Sequence, residues 1–175
     1  MPDKYMQEAL RLQKNSKVVS PAMNLEMLNR LAGNSQSKGD IKKAEEYLDL
    51  GNQYVTQGPT TNRLDLMHYY MRAKVCWDKG DFKQAYEFSN RSIQNIKQGT
   101  HLEGDDLLSY LRNIMILEKL GHGHEAYVKM QDFYNKYCQA VQDKNFLAIA
   151  LNAMAEIAKD LGLLDQAEQN ITRSL

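Results

Sequence analysis

Proline is scarce in this sequence, with three in 175 residues. Without it, and with abundant Leu, Ala, Glu, Lys, Gln and Met, long stretches are free to be helical, so the chain reads as all-α. An excess of charge of either sign is also missing. Lys plus Arg and Asp plus Glu each number 22, which leaves no surplus of cations for a phosphate backbone and argues against a nucleic-acid partner. No run reaches the roughly 18 apolar residues of a membrane span; the richest stretch, residues 146–158, is broken by Asn152 and Glu156. No membrane contact by this segment is expected. The first residues, Met1-Pro2-Asp3-Lys4-Tyr5-Met6-Gln7-Glu8, lack the apolar core of a leader. A cytoplasmic location follows, or a periplasmic one if the chain belongs to a larger sensor. Only two cysteines occur, Cys76 and Cys138, at helical positions expected to face inward. They read as two buried thiols rather than a disulfide framework.

Catalytic motifs are missing as well. There is no glycine-rich phosphate loop, His-Glu-x-x-His, Cys-x-x-Cys or nucleophile elbow, so no enzyme, cofactor or catalytic residue is expected. The nearest approach to a metal site is His122-Gly123-His124 beside Glu125. These residues sit in a polar turn, and first-row metals need three or four supported ligands, so no metal is assigned. His68 and His101 are isolated and read as surface residues.

The chain does have a period. Glycine recurs at Gly39, Gly80, Gly121 and Gly162, in steps of 41 residues, and alanine follows five residues later at Ala44, Ala85, Ala126 and Ala167. Two residue types keeping one step mark a repeat. Before each glycine lies an apolar-periodic segment, as in Leu66, Tyr69, Ala73 and Cys76, spaced for one face of a helix A. The glycine can end that helix in the left-handed conformation, and Asp40 or Asp81 can cap the next. The alanine falls in the first turn of helix B, where a small side chain lets the two helices approach. The pattern predicts helix A over 22–38, 62–79, 104–120 and 145–161, and helix B over 40–57, 81–98, 122–140 and 163–175. A single pair cannot bury its apolar faces, so the copies should stack into a solenoid. The loops between pairs contain Gly58-Pro59-Thr60-Thr61, Gly99-Thr100-His101 and Gln142-Asp143-Lys144-Asn145.

The segment Lys79-Gly80-Asp81-Phe82-Lys83-Gln84-Ala85-Tyr86 resembles the Gly-Asp-Tyr-x-x-Ala core of the tetratricopeptide repeat (TPR). Residues 38–44 and 161–167 do so too, while Leu120-Gly121-His122-Gly123-His124-Glu125-Ala126 is looser. The small residue that the family places in helix A, seven positions before the glycine, is matched by Ala32, Ala73 and Ala155 but is Ile114 in the third copy. The family's terminal proline is absent. The period also exceeds the usual length of about 34 and falls among HEAT-like lengths of about 40–47; the Gly-x4-Ala core favours the former. Such long repeats resemble those of kinesin light chains and of the sensory regions of bacterial regulators and histidine kinases. The resemblance implies a right-handed α-solenoid of antiparallel helix pairs. It divides into a partial repeat at 2–16, repeats at 22–57, 62–98 and 104–140, and a truncated one at 145–175. Taken as one array over 1–175, it looks cut from a longer protein.

In this family the A helices line the concave face. A stripe beside their core positions would carry Glu26, Asn29, Gly33 and Gln36, then Met67, Tyr70, Lys74 and Trp77, then Leu108, Leu111, Met115 and Glu118, and last Ile149, Asn152, Glu156 and Lys159. The resemblance therefore implies a non-catalytic protein- or peptide-binding scaffold in a larger regulatory or signalling protein. Tyr70, Trp77, Leu111 and Met115 would form apolar pockets for an amphipathic segment. Asn29 and Asn152 would hydrogen-bond its backbone, and Lys74 would add one of several mixed charges. The alternative is a structural spacer or self-association module that buries the same surface in a homodimer. The third helix A, with Leu107, Leu108, Tyr110, Leu111, Ile114, Met115, Ile116 and Leu117, is apolar on more than one face: either neighbours cover it on every side, the reading that plain packing favours, or part of its surface awaits a ligand.

Overall fold

A computed structural model of the chain describes residues 8, 20–55, 63–94, 96, 102, 104–138, 141 and 143–174. The partial helix expected at the N-terminus and His101 lie outside the described residues, apart from Glu8. The described residues form helices and no strand. They fall into two compact units, Met1–Gly99 and Thr100–Leu175.

Unit 1 holds α1 (Pro21–Ser37), α2 (Ile41–Gly51) with a following 3-10 turn (Asn52–Tyr54), α3 (Arg63–Asp78) and α4 (Phe82–Gln94). Unit 2 holds α5 (Gly104–Lys119), α6 (Gly123–Tyr137), α7 (Lys144–Asp160) and α8 (Leu164–Ser174). The first helix B thus stops earlier than the period suggests. After Gly51 the backbone tightens to the 3-10 turn, which brings Asn52 to the His68 ring.

The tight turns explain the glycine–alanine pair. Gly39 and Gly80 have φ of +79° and +76°, a region that costs an L side chain but not glycine. At the first turn the Gly39 N–H donates to Gln36 O at 2.9 Å and the Asp40 N–H to Ser35 O at 2.9 Å. Those are the two bonds of a Schellman cap, and they satisfy carbonyls that the helix end would otherwise leave free. The same pair recurs at Gly80, Gly121 and Gly162. The next helix then starts at once: the N–H groups of Ala44, Ala85, Ala126 and Ala167 donate to the carbonyls of Asp40, Asp81, His122 and Leu163. Asp40 and Asp81 also cap with their side chains, accepting from Lys43 N and Gln84 N at 3.1 Å. All four alanines are buried. With no room beside it, an Ala85→Leu side chain should overpack the α3–α4 contact and lower stability by ~1–3 kcal/mol in urea unfolding. An unchanged midpoint would show that the contact is looser than described.

Stacking repeats within each unit. Helix α3 packs against both α1 and α2, and α7 against both α5 and α6. In unit 1 Ala32, Ala44, Leu48, Met71 and Val75 form one cluster, with Ile41, Tyr47 and Tyr70 packed on its edge. In unit 2 Leu107, Leu111, Ile114, Ile116 and Leu117 of α5 are buried, so the many-sided apolar helix is largely covered. Each such side chain contributes about 1.5–3 kcal/mol of transfer free energy.

Candidate functional site

Helix periodicity sets Met67, Tyr70, Lys74 and Trp77 along one side of α3, and all four are half-buried. Tyr70 rests on the unit 1 cluster. Trp77 stands edge-to-face on Phe82, with centroids 5.3 Å apart, a geometry favoured by the ring quadrupoles. On α1, Glu26 pairs with Arg30 at 2.8 Å, Gly33 has Met71 Cε 3.5 Å from where a Cβ would sit, and Gln36 Nε2 donates to Asp78 Oδ2 at 2.6 Å. In unit 2, Met115 and Glu118 of α5 are half-buried, whereas Ile149, Asn152, Glu156 and Lys159 of α7 are exposed.

Asn29, Tyr70, Lys74 and Trp77 therefore belong to unit 1, and Leu111, Met115 and Asn152 to unit 2. Within each unit the first helix A presents a covered residue at the shared repeat position and the second a more open one. Asn29 is 7% exposed and Leu111 3%, while Tyr70 is half-buried and Asn152 exposed. The physical reason is stacking, since α3 lies on α1 and α7 on α5. Asn29 spends its amide inside the unit, donating from Nδ2 to Leu64 O at 3.2 Å and placing Oδ1 2.9 Å from His68 Nδ1.

His68 corrects the sequence expectation. It is not a surface residue but fully buried. Gly51 leaves it room: a Cβ there would come within 2.8 Å of His68 Cε1. Asn52 Oδ1 lies 3.1 Å from Nε2, and Arg72 Nε donates to Nε2 at 3.4 Å. A neutral imidazole donates from one nitrogen only. With the proton on Nδ1 the ring donates to Asn29 Oδ1 and Nε2 accepts from Arg72, leaving Asn52 Oδ1 against a lone pair; with the proton on Nε2 the ring donates to Asn52 Oδ1 instead. Desolvation and then the Arg72 guanidinium lower the His68 pKa to about 4, against an opposing pull from Asp49. Two signals in the sequence mark this burial. One is the glycine at position 51, where the other copies have Ser92, Phe133 and Ser174; the other is the company of position 68 at the 41-residue step, Met27, Ser109 and Ala150.

Cys76 and Cys138 are free and buried. Burial raises the pKa of both thiols, that of Cys138 to about 11, so they stay protonated and unreactive near neutrality. His122 and His124 are exposed, and among the described residues no group of three or more His, Cys, Asp or Glu could hold a metal ion. No described helix is long and apolar enough to cross a membrane. What the helix A faces offer is contact: aromatic surface, amides and mixed charge.

The tetratricopeptide repeat family model matches residues 69–97, the span from mid α3 through the Gly80 turn to just past α4. This is a TPR fold. A crystal structure from Podosopora anserina, of nearly identical TPR-like repeats assigned to a kinesin light chain, aligns with a TM-score of 0.78 at 14% identity, covering 98% of this chain and 83% of that one. A single-substitution variant of those repeats gives a TM-score of 0.81 at 13% identity, covering 98% and 82%. The crystal structure of MamA gives 0.65 at 14% identity, covering 98% and 84%. At such identities the likeness is one of fold. No curated protein sequence matches the chain. A TPR-like fold accounts for the antiparallel pairs, the Gly-x4-Ala core and, within each unit, the stacking of α3 on α1–α2 and of α7 on α5–α6.

Proposed function

We propose that the chain is a non-catalytic scaffold that binds a protein or peptide, taking an amphipathic segment on its helix A faces. The observation that carries this reading is the α3 stripe. Tyr70, Lys74 and Trp77 are each packed on one side and open on the other, so their rings and charge are held in place before a partner arrives, which lowers the ordering cost of binding. In unit 2, Met115 and Asn152 would offer the same kind of contact by themselves, with Leu111 beneath them as Asn29 lies beneath the α3 stripe in unit 1. Such a segment would sit in a larger regulatory or signalling protein.

Trp77 is the one tryptophan of the chain, which makes the test direct. Peptides selected on the wild-type chain from a random displayed library should change its fluorescence on binding. Trp77→Ala should weaken them by roughly 2 kcal/mol or more, as truncated hot spots do. Its melting temperature should fall far less than the ~3–5 kcal/mol loss of a core tryptophan implies. Unchanged affinity in a folded Trp77→Ala chain, or a large loss of stability, would refute the assignment.

A second reading, self-association, has one observation in its favour. Leu164 and Ile171 of α8 are exposed, at 66% and 50%, and a helix face of that kind is ready to be covered by another copy. Sedimentation across a concentration series separates the two readings, since a strict monomer removes the second.

A further inference from the structure

Away from the helix A faces, unit 2 has a hollow of about 200 Å³ between α6 and α8, with Met154 of α7 among its lining residues. Its walls are amides and phenols, among them Gln131 and Tyr134 from α6 and Gln169, Asn170 and Arg173 from α8. None of the lining residues carries a carboxylate. Arg173 is the only charged one. Its guanidinium lies 5.1 Å from the Tyr134 ring centroid, and its Nη2 donates to the Tyr134 hydroxyl at 3.0 Å. That contact uses one of five N–H donors and neutralises none of the charge. The carboxylates of Asp165 and Glu168 line a neighbouring hollow that shares Gln169 and Arg173, yet Arg173 forms no ion pair with a described residue.

Asn170 gives the second, independent sign of a ligand. It is 6% exposed, it lines the hollow, and its amide makes no hydrogen bond to a described residue. The amide is not sealed from solvent: its donors and acceptor reach the hollow, where a ligand can replace the water on them. Here the unspent donors and acceptor border a cavity whose one charge is positive. Ligands that satisfy both groups have adjacent acceptor oxygens and a negative charge. An Arg fork matches a carboxylate in that way.

We propose that this hollow is a carboxylate-binding site, in which Arg173 supplies the charge and Asn170 orients the ligand through its side-chain amide. The carboxylate belongs either to a peptide or to a small free organic acid. The site lies on helix B surfaces and is independent of the Trp77 face.

Side-chain amide resonances of the ¹⁵N-labelled chain read the site directly. Three probes separate the sources: succinate, an acetylated tetra-alanine with a free C-terminal carboxylate, and the same peptide as its C-terminal amide. The Asn170 side-chain amide should shift and saturate with at least one of the first two and not with the third. Binding of succinate alone identifies a free acid, and binding of the peptide acid alone identifies a peptide terminus. Arg173→Gln removes the charge and keeps an amide, so it should weaken binding by about tenfold or more, the loss expected for a charge-assisted hydrogen bond. Arg173→Lys, which keeps the charge without the fork, should fall between. Asn170→Asp, a near-isosteric change that sets a negative charge in the hollow, should abolish binding. No Asn170 shift with either carboxylate would overturn the proposal. So would wild-type affinity in Arg173→Gln, or equal binding of the peptide amide; a variant that melts early is replaced by Arg173→Lys, for which affinity equal to Arg173→Gln counts against the fork.

Discussion

Acidification from neutral pH to about pH 4 should remove about 3 kcal/mol of stability from unit 1 through His68 alone. The folded-state pKa is lowered from the ordinary 6.5 to about 4, so the unfolded chain takes up the proton more readily. The contribution is therefore complete above pH 6.5 and is lost as the pH falls from there to about 4, where the buried ring becomes half-protonated. Protonation is disfavoured because the ring has no water to solvate the charge and has the Arg72 guanidinium beside it. Carboxylates titrate near the bottom of the same window, so the measurement is a difference. Urea unfolding of wild type and His68→Gln, followed by Trp77 fluorescence, should show the wild type losing about 3 kcal/mol more than the variant between the two pH values. Parallel losses would show that the proton goes elsewhere.

Met130→Ala should be strongly destabilising to unit 2, at ~2–5 kcal/mol. Met130 is fully buried, and its place in the repeat explains why. The 41-residue step sets Leu48, Ser89, Met130 and Ile171 at one position on successive B helices, and the first three are buried. Within each unit the B helix of the first repeat is covered by the A helix of the second. Ile171, on the last described helix, is 50% exposed. Ile171→Ala removes three carbons that are already half in solvent, so it should cost only about 1 kcal/mol. Chemical denaturation of the two variants checks the pair, and similar losses would contradict the repeat alignment.

The parts of the fold that local chemistry dictates were legible in the sequence. A glycine that must turn left-handed, an aspartate that caps and an alanine that admits a neighbour leave the same trace at every step. The α5 helix could likewise be read as covered from its many-sided apolar content. Less legible was whatever depends on a second helix at a particular place. Asn29 and Leu111 lie beside the core stripe in sequence, but whether such a boundary residue is open depends on the next helix A, which covers them and spares Asn152. His68 looked like a solvated imidazole because its partners, Gly51, Asn52 and Asn29, are scattered over two other segments. The hollow at Arg173 and Asn170 is set by α6 and α8 together, and neither helix alone contains a motif for it.

The room that Gly51 leaves for His68 has a counterpart with the sizes reversed. One step of two repeats later, the same positions hold Phe133 and Ala150, both buried. The bulk at this junction thus comes from helix A in unit 1 and from helix B in unit 2. A chain built of near-equal repeats risks pairing the wrong partners while it folds, for instance after a slip by whole repeats or an exchange between two molecules. Setting Phe133 against His68 would crowd two rings into space made for one, and setting Gly51 against Ala150 would leave a void. Both errors are penalised by packing alone, so these two junctions act as steric addresses that distinguish the pairing within unit 1 from the pairing within unit 2.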